Sequence, residues 1–200
     1  AEEGVLAMIS DSTNVDVPGH TGSEAELVDT MAKVFAKQPY RIAVTCFASN
    51  VARLHSVAVA AKRNDRQVAL VGRSLWRMHD AARENGYLMD IPDFVGEADV
   101  GYFPRDKLVM ICTGSQGESR AALARIADQS HPKVSIDPGD SVIFSSREIP
   151  GNENAISRIQ GKFMSRGVNV ITEREHHVHV SGHPAREDMV EMYQMIRPEI

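Results

Sequence analysis

The feature that most constrains the fold of this chain is an alternation of two kinds of segment. Short, mainly apolar runs recur at Val5 to Ser10, Ile42 to Cys46, Val68 to Val71, Leu108 to Cys112, Ser141 to Ser145 and Val168 to Thr172. Between them lie stretches whose apolar residues repeat at helical spacing, such as Leu27, Met31, Val34 and Phe35, or Val51, Leu54, Val57 and Ala61. Runs this short and this apolar read as strands buried on both faces, and strands that alternate with amphipathic helices imply a mainly parallel sheet with right-handed crossovers. The expected fold is therefore α/β, Rossmann-like, in three layers: about six strands with helices on both faces. It reads as a single domain over residues 1–200.

Local signals place the helices. Ser23 with Glu26 three residues later is a capping box. Gly72-Arg73-Ser74 opens a helix that Asn85-Gly86 ends, since glycine after the last turn closes helices well. Further helices follow at Ala121 to Ile126, around Ile156, Ile159 and Phe163, and from Ala185 to Ile196 with Met189, Met192 and Ile196 as its stripe. Residues 87–104 read as an irregular surface crossing. The chain opens at Ala1 without a methionine and stops where a helix ends and a new strand begins to read, which points to a piece excised from a larger protein.

Net charge −5 excludes a protein that grips nucleic acid by bulk positive field, though not one with a local basic groove. Cys46 and Cys112 end apolar runs without a Cys-x-x-Cys pair and read as buried, reduced thiols. With no signal peptide and no apolar run of membrane length, the reading is cytoplasmic, with no membrane partner.

Chemistry concentrates in His176-His177-Val178-His179-Val180-Ser181-Gly182-His183-Pro184. His176 and His177 suit a solvated strand edge equally well, whereas Ser181, Gly182 and His183 are residue types for holding a phosphate or moving a proton. Small polar residues also end the other strands: Asp11-Ser12-Thr13-Asn14, Ser49-Asn50, Gly72-Arg73-Ser74 and Gly114-Ser115-Gln116-Gly117. In a parallel sheet all such turns fall on one edge, where glycine admits a close ligand and helix-start amides favour anions. Each turn taken alone is better explained as a helix cap, and five together shift the balance. Gly114–Gly117 lacks the Lys-Ser/Thr of a P-loop, and no G-x-G-x-x-G follows the first strand, which argues against ATP and dinucleotides.

Ser10-Asp11-Ser12-Thr13-Asn14, Phe47-Ala48-Ser49-Asn50, Val71-Gly72-Arg73-Ser74, Cys112-Thr113-Gly114-Ser115-Gln116-Gly117-Glu118, Pro138-Gly139-Asp140, Ile149-Pro150-Gly151-Asn152-Glu153 and His179-Val180-Ser181-Gly182-His183 resemble, in order and along the whole chain, the motifs of the β-CASP domain of ribonuclease J-like, metallo-β-lactamase-fold nucleases. The resemblance implies a metal-dependent ribonuclease that cuts RNA internally and digests it from a 5′-monophosphate end, two metals activating the attacking water. It matches Asp11 to the family's acidic motif and His183 to its motif histidine. His183 would protonate the leaving oxygen or steady the phosphate, and Asp11 would orient its ring. Ser181, Gly182, Gly114, Ser115, Gln116, Gly117, Ser49, Asn50 and Arg73 become candidates for holding RNA phosphates, with Arg147 and Arg186 beside them.

The family's zinc or manganese ligands belong to the lactamase part and are not among these residues; His177-Val178-His179 and His179 to His183 are too few to be read as a metal site. The resemblance further implies RNA and that lactamase domain as partners, with self-association of the complete protein left open. Two alternatives stand: a phosphate- or nucleotide-binding module without catalysis, and a small-molecule phosphohydrolase.

Overall fold

The computed structural model describes residues 4–200, so Ala1 lies outside it. The chain forms two compact units: residues up to Ser23 together with Val180–Ile200, and Glu24–His179.

The larger unit contains one open sheet whose strands are β1 (Ile42–Thr45), β2 (Gln67–Val71), β3 (Val95–Gly96), β4 (Leu108–Cys112), β5 (Ser141–Phe144) and β6 (Asn169–Ile171). Their order is β3-β2-β4-β1-β5-β6, and every pairing is parallel. Register explains how both faces are buried. Ala43 pairs with Met110 and Val142, and these residues share a core with Leu123 and Ile126 of α4 (Ala122–Ala127) and Ile156, Ile159 and Phe163 of α5 (Glu153–Met164). Alternate positions Ile42, Val44, Leu70, Val109 and Ile111 are equally buried and point to the opposite face, since side chains alternate along a strand. That face is covered by α2 (Val51–Arg63), which packs on β2 and β4 and against α1 (Glu24–Ala36). The result is the expected three layers, with α3 (Arg73–Glu84) beside β2 and α2.

Two readings need correction. Val5 to Ser10 is not a sheet strand: Leu6 and Ile9 are exposed, and the segment instead exchanges backbone hydrogen bonds with the chain's last residues, Glu199 N to Val5 O at 3.0 Å and Met8 N to Ile200 O at 3.2 Å. An apolar run joins a covered sheet only when both its faces can be buried, and apolarity alone does not report that. Conversely, residues 87–104 are not wholly irregular, because they contain β3, which pairs with β2 through Ala69 and Leu70. A two-residue strand has no periodicity to read.

The strand order places a topological switch between β4 and β1, where one connection leaves toward β2 and the other toward β5. The loops after their carboxyl ends, 46–50 and 113–117, therefore flank the crevice such sheets use for ligands. Cys46 closes β1, and Cys112 lies in register with Thr45 on β4. Both are buried and free of disulfide, and burial pushes the Cys46 thiol up to about 12 and raises that of Cys112 as well.

One buried polar cluster interrupts the apolar core. Arg53 of α2 has no exposed surface and grips Glu24 through Nε at 3.1 Å and Nη2 at 2.7 Å, while Nη1 donates to Ser145 O at 2.7 Å and faces His179 Nδ1 at 3.3 Å. Desolvation opposes the ionised Glu24, yet the guanidinium holds its pKa below the ordinary value.

The smaller unit is built on α6 (Arg186–Ile196). Only Met189 of its stripe is fully buried, and Val190, Met195 and Ile196 are exposed.

Candidate functional site

Asp11 and His183, 172 positions apart in the sequence, meet in the smaller unit. His183 Nδ1 hydrogen-bonds Asp11 Oδ2. The other carboxylate oxygen accepts from Thr13 N at 2.8 Å and Thr13 Oγ1 at 2.7 Å, an Asx turn that fixes the carboxyl group relative to its own backbone. The bond from His183, and then the two from Thr13, hold Asp11 well below the usual carboxylate range. It is therefore ionised at neutral pH, and the hydrogen on Nδ1 points at it. The His183 side chain is half exposed, with Nε2 bonded to none of the described residues.

The turn that carries His183 is positioned by side chains that accept or donate to its backbone. Asn14, buried, donates its amide to Ser181 Oγ at 3.0 Å and to His183 O at 3.2 Å. His183 N donates to Ser181 Oγ at 3.1 Å, and Thr21 Oγ1 donates to His183 O at 3.0 Å. Ser181 Oγ thus accepts twice, which fills its lone pairs and leaves its O–H to donate elsewhere. Below the turn, Asp188 in the first turn of α6 accepts from Ala185 N at 3.0 Å, from Thr21 N at 2.8 Å and from His20 Nδ1 at 2.8 Å. These bonds keep Asp188 well below the carboxylate range and raise the pKa of His20.

Of the residues read from sequence, Asp11, Ser181, Gly182 and His183 come together in this unit. Neither Asp11–Asn14 nor Ser181–His183 ends a strand of the sheet, contrary to expectation. The segment between β6 and Ser181 runs nine residues, 172–180, outside any strand, pinned where Ser145 Oγ donates to Val178 O at 2.6 Å.

Ser49-Asn50, Gly72-Arg73-Ser74 and Gly114–Gly117 do lie on one edge, at the carboxyl ends of β1, β2 and β4. Much of what they do there is structural. Asn50 Oδ1 accepts Arg53 N at 2.9 Å, capping α2, while Ser49 is exposed. Gly114, at φ 115°, and Gly117, at φ 79°, face protein: a Cβ on the first would sit 2.9 Å from Ala121 Cβ and on the second 2.6 Å from Ala155 Cβ. Ser115 and Gln116 are buried, and the Gln116 side chain ties down the 147–152 loop through Arg147 O at 2.9 Å, Ile149 N at 3.0 Å and Asn152 Nδ2 at 3.3 Å. Arg73 is exposed. Arg186 donates from Nε to Val15 O at 3.0 Å.

Among the described residues no group of three His, Cys, Asp or Glu side chains could hold a metal ion. The histidine-rich stretch does not fit one: His183 Nδ1 is taken by Asp11, and His179 Nδ1 faces the Arg53 guanidinium, burial first and that charge second pushing its pKa down to about 4.

Residues 39–163 match the family model of the ribonuclease J β-CASP domain. The chain belongs to that family. This β-CASP chain is 47% identical over 199 residues to ribonuclease J of Sinorhizobium meliloti, covering 100% of the chain and 35% of that protein. It is 40% identical to ribonuclease J of Synechocystis, over 99% of the chain and 31% of that protein, and 38% identical to that of Thermus thermophilus, over 98% of the chain and 34% of that protein. The β-CASP chain thus spans about a third of the length of the relatives it matches. The segment matching the family model lies within the sheet-bearing unit, whereas Asp11 and His183 lie in the span shared with the relatives.

Sequence reasoning about this β-CASP chain did not assign roles to Asn14, Thr21 and Asp188. Asp188, an acid three residues after the helix cap, carried the available signal, since that position accepts from the cap amide. No helix among the described residues is long and apolar enough to cross a membrane.

Proposed function

We propose that residues 1–200 act as one β-CASP domain of a longer, metal-dependent ribonuclease, in which Asp11 and His183 serve phosphodiester hydrolysis. The observation that carries this reading is the ionised Asp11 carboxylate against His183 Nδ1. An aspartate so placed fixes one tautomer and ring orientation and stabilises the ring when it gains a second proton. The outward Nε2 of the protonated ring can then donate its proton to the oxygen leaving phosphorus, or pair with the phosphate itself. The Ser181 O–H, with both its lone pairs filled internally, and the exposed Gly182 backbone suit a phosphate oxygen next to it. Zinc or manganese, with the activation of the attacking water, belongs to the metallo-β-lactamase part of the longer protein. The substrate is RNA with a 5′-monophosphate end, cut internally or digested from that end in the cytoplasm.

In the complete protein, His183→Ala and Asp11→Asn should each slow RNA hydrolysis by about 10²- to 10⁴-fold, the usual reach of a general acid and its orienting partner. Hydrolysis at the parental rate by both variants would sink the assignment. Turnover of mononucleotides in preference to RNA would replace RNA by a small-molecule substrate. The 200-residue chain alone should cleave nothing, with or without added Zn²⁺ or Mn²⁺. Metal-dependent cleavage abolished by His179→Ala would instead make the histidine stretch a metal site.

A further inference from the structure

His183 is held at its ring, its amide and its carbonyl by different side chains. The ring meets Asp11 through Nδ1, the amide donates to Ser181 Oγ at 3.1 Å, and the carbonyl accepts from Asn14 at 3.2 Å and from Thr21 Oγ1 at 3.0 Å. Fixing the backbone N and O fixes the direction of the Cα–Cβ bond, so the reach of the ring is set before Asp11 turns it. Thr21 comes from a stretch, residues 18–23, that has neither helix nor strand, and its own position therefore depends on a side chain. That side chain is Asp188. Oδ2 accepts Thr21 N at 2.8 Å and Ala185 N at 3.0 Å, and Oδ1 accepts His20 Nδ1 at 2.8 Å. An acid in the first turn of a helix ordinarily closes on the cap amide of its own helix, whereas this one also takes two donors from a segment 167 and 168 positions away. The Thr21 hydroxyl, so placed, accepts from Ala185 N at 2.9 Å while donating to His183 O. Asp188 thus grips both the residue that bonds the His183 carbonyl and the residue two beyond His183, without touching His183.

We infer that Asp188 is a positioning residue for phosphodiester hydrolysis: through Thr21 it sets where the His183 backbone sits, and so where Nε2 meets the scissile phosphate. The role rests on His183 serving hydrolysis, and it differs from that of Asp11, which acts on the ring. A proton donor displaced by about 1 Å loses on the order of a hundredfold in rate. An acid needed only to cap α6 would show in stability and leave turnover by the folded protein alone.

The test is steady-state hydrolysis of 5′-monophosphorylated RNA by the complete protein. Thr21→Val deletes the hydroxyl but keeps the side chain's shape and the amide that Asp188 holds. It should lower kcat roughly tenfold to a hundredfold with KM changed by less than about twofold, and Thr21→Ser, which returns the hydroxyl, should reverse the loss. Asp188→Ala should lower kcat at least as far; Thr21→Val reads the same link should Asp188→Ala fail to fold. Asp188→Asn keeps an oxygen for the two amides and can turn its NH₂ toward His20 in the other imidazole tautomer, so it should recover most of the rate. Added to His183→Ala, Thr21→Val should cost nothing further, because groups that act through one another are not additive. Losses that multiply in that double variant, or a rise in KM with kcat kept, would overturn the role. Full activity of Thr21→Val and Asp188→Ala beside a slow His183→Ala removes Asp188 and leaves the catalytic pair standing, whereas a parental rate in His183→Ala removes the pair itself.

Discussion

The two units of this chain are held together by different physics. Glu24–His179 is ordered by apolar packing on both faces of a parallel sheet, with side chains such as Ile42, Leu70, Met110 and Phe163 wholly withdrawn from water. In the unit of α6 and the Asp11 turn, few apolar side chains are buried, and order comes from side chains that bond backbone: Asn14 and Thr21 to His183 O, and Asp188 to Thr21 N and Ala185 N. Packing tolerates shifts of a few tenths of an ångström, while a hydrogen bond fixes one atom against another. The unit that positions the His183 ring is the one built from directional contacts.

That contrast predicts where substitution costs stability and where it costs activity. Arg53→Ala should be the most damaging to folding, since it strands a partly buried Glu24 and takes from Ser145 O the donor 2.7 Å away. Breaking such a pair typically costs about 3–5 kcal/mol, a fall in melting temperature of about 10 °C at this chain length. A shift under 2 °C, about half a kcal/mol, would mean that the buried cluster contributes little and that the contrast is drawn too sharply.

Ser181→Ala should act the other way. In the complete protein it should weaken digestion from a 5′-monophosphate end by roughly tenfold to a hundredfold, the value of a hydroxyl bonded to a charged group, about 1.5–3 kcal/mol, and weaken internal cleavage less. Equal loss in both activities would reassign Ser181 to holding Asn14 and the His183 amide in place.

A smaller effect separates the units by pH. His179 is depressed to about 4, so the unfolded chain binds its proton more readily than the folded one between about 4 and 6.5. Stability should rise with pH across that window, on the order of 1 kcal/mol in all, and His179→Phe should flatten the rise in a set of urea titrations. Asp11 is depressed as well, so its contribution is complete above about 3.9 and fades only as pH falls toward its lower folded value. Carboxyl NMR should accordingly find Asp11 ionised at pH 3; a midpoint near 3.9 would show that the His183 and Thr13 bonds do not persist in solution.

Four of the sheet's strands were legible because burial on both faces leaves an unbroken apolar run, as in Leu108 to Cys112, and β6, at the sheet edge with Asn169 exposed, because Val168, Val170 and Ile171 still cluster. β3 was not, because two residues beside Pro92 carry no pattern, and Val5 to Ser10 misled because nothing in an apolar run says whether a second layer covers it. The pairing of Asp11 with His183 could be expected only from the resemblance of the motifs around them, since no spacing rule joins positions 172 apart. Gly114 and Gly117 read as ligand-facing glycines, yet Ala121 and Ala155 occupy the space their side chains would need. Composition cannot separate a glycine that admits a ligand from one that admits a helix.

The depth at which Cys46 and Cys112 are buried has a practical side. Thiol-reactive reagents attack the thiolate, and both native thiols are enclosed and held protonated far above neutral pH. A cysteine introduced at the exposed Ser119 would be the reactive one in a chain that needs no prior cysteine removal.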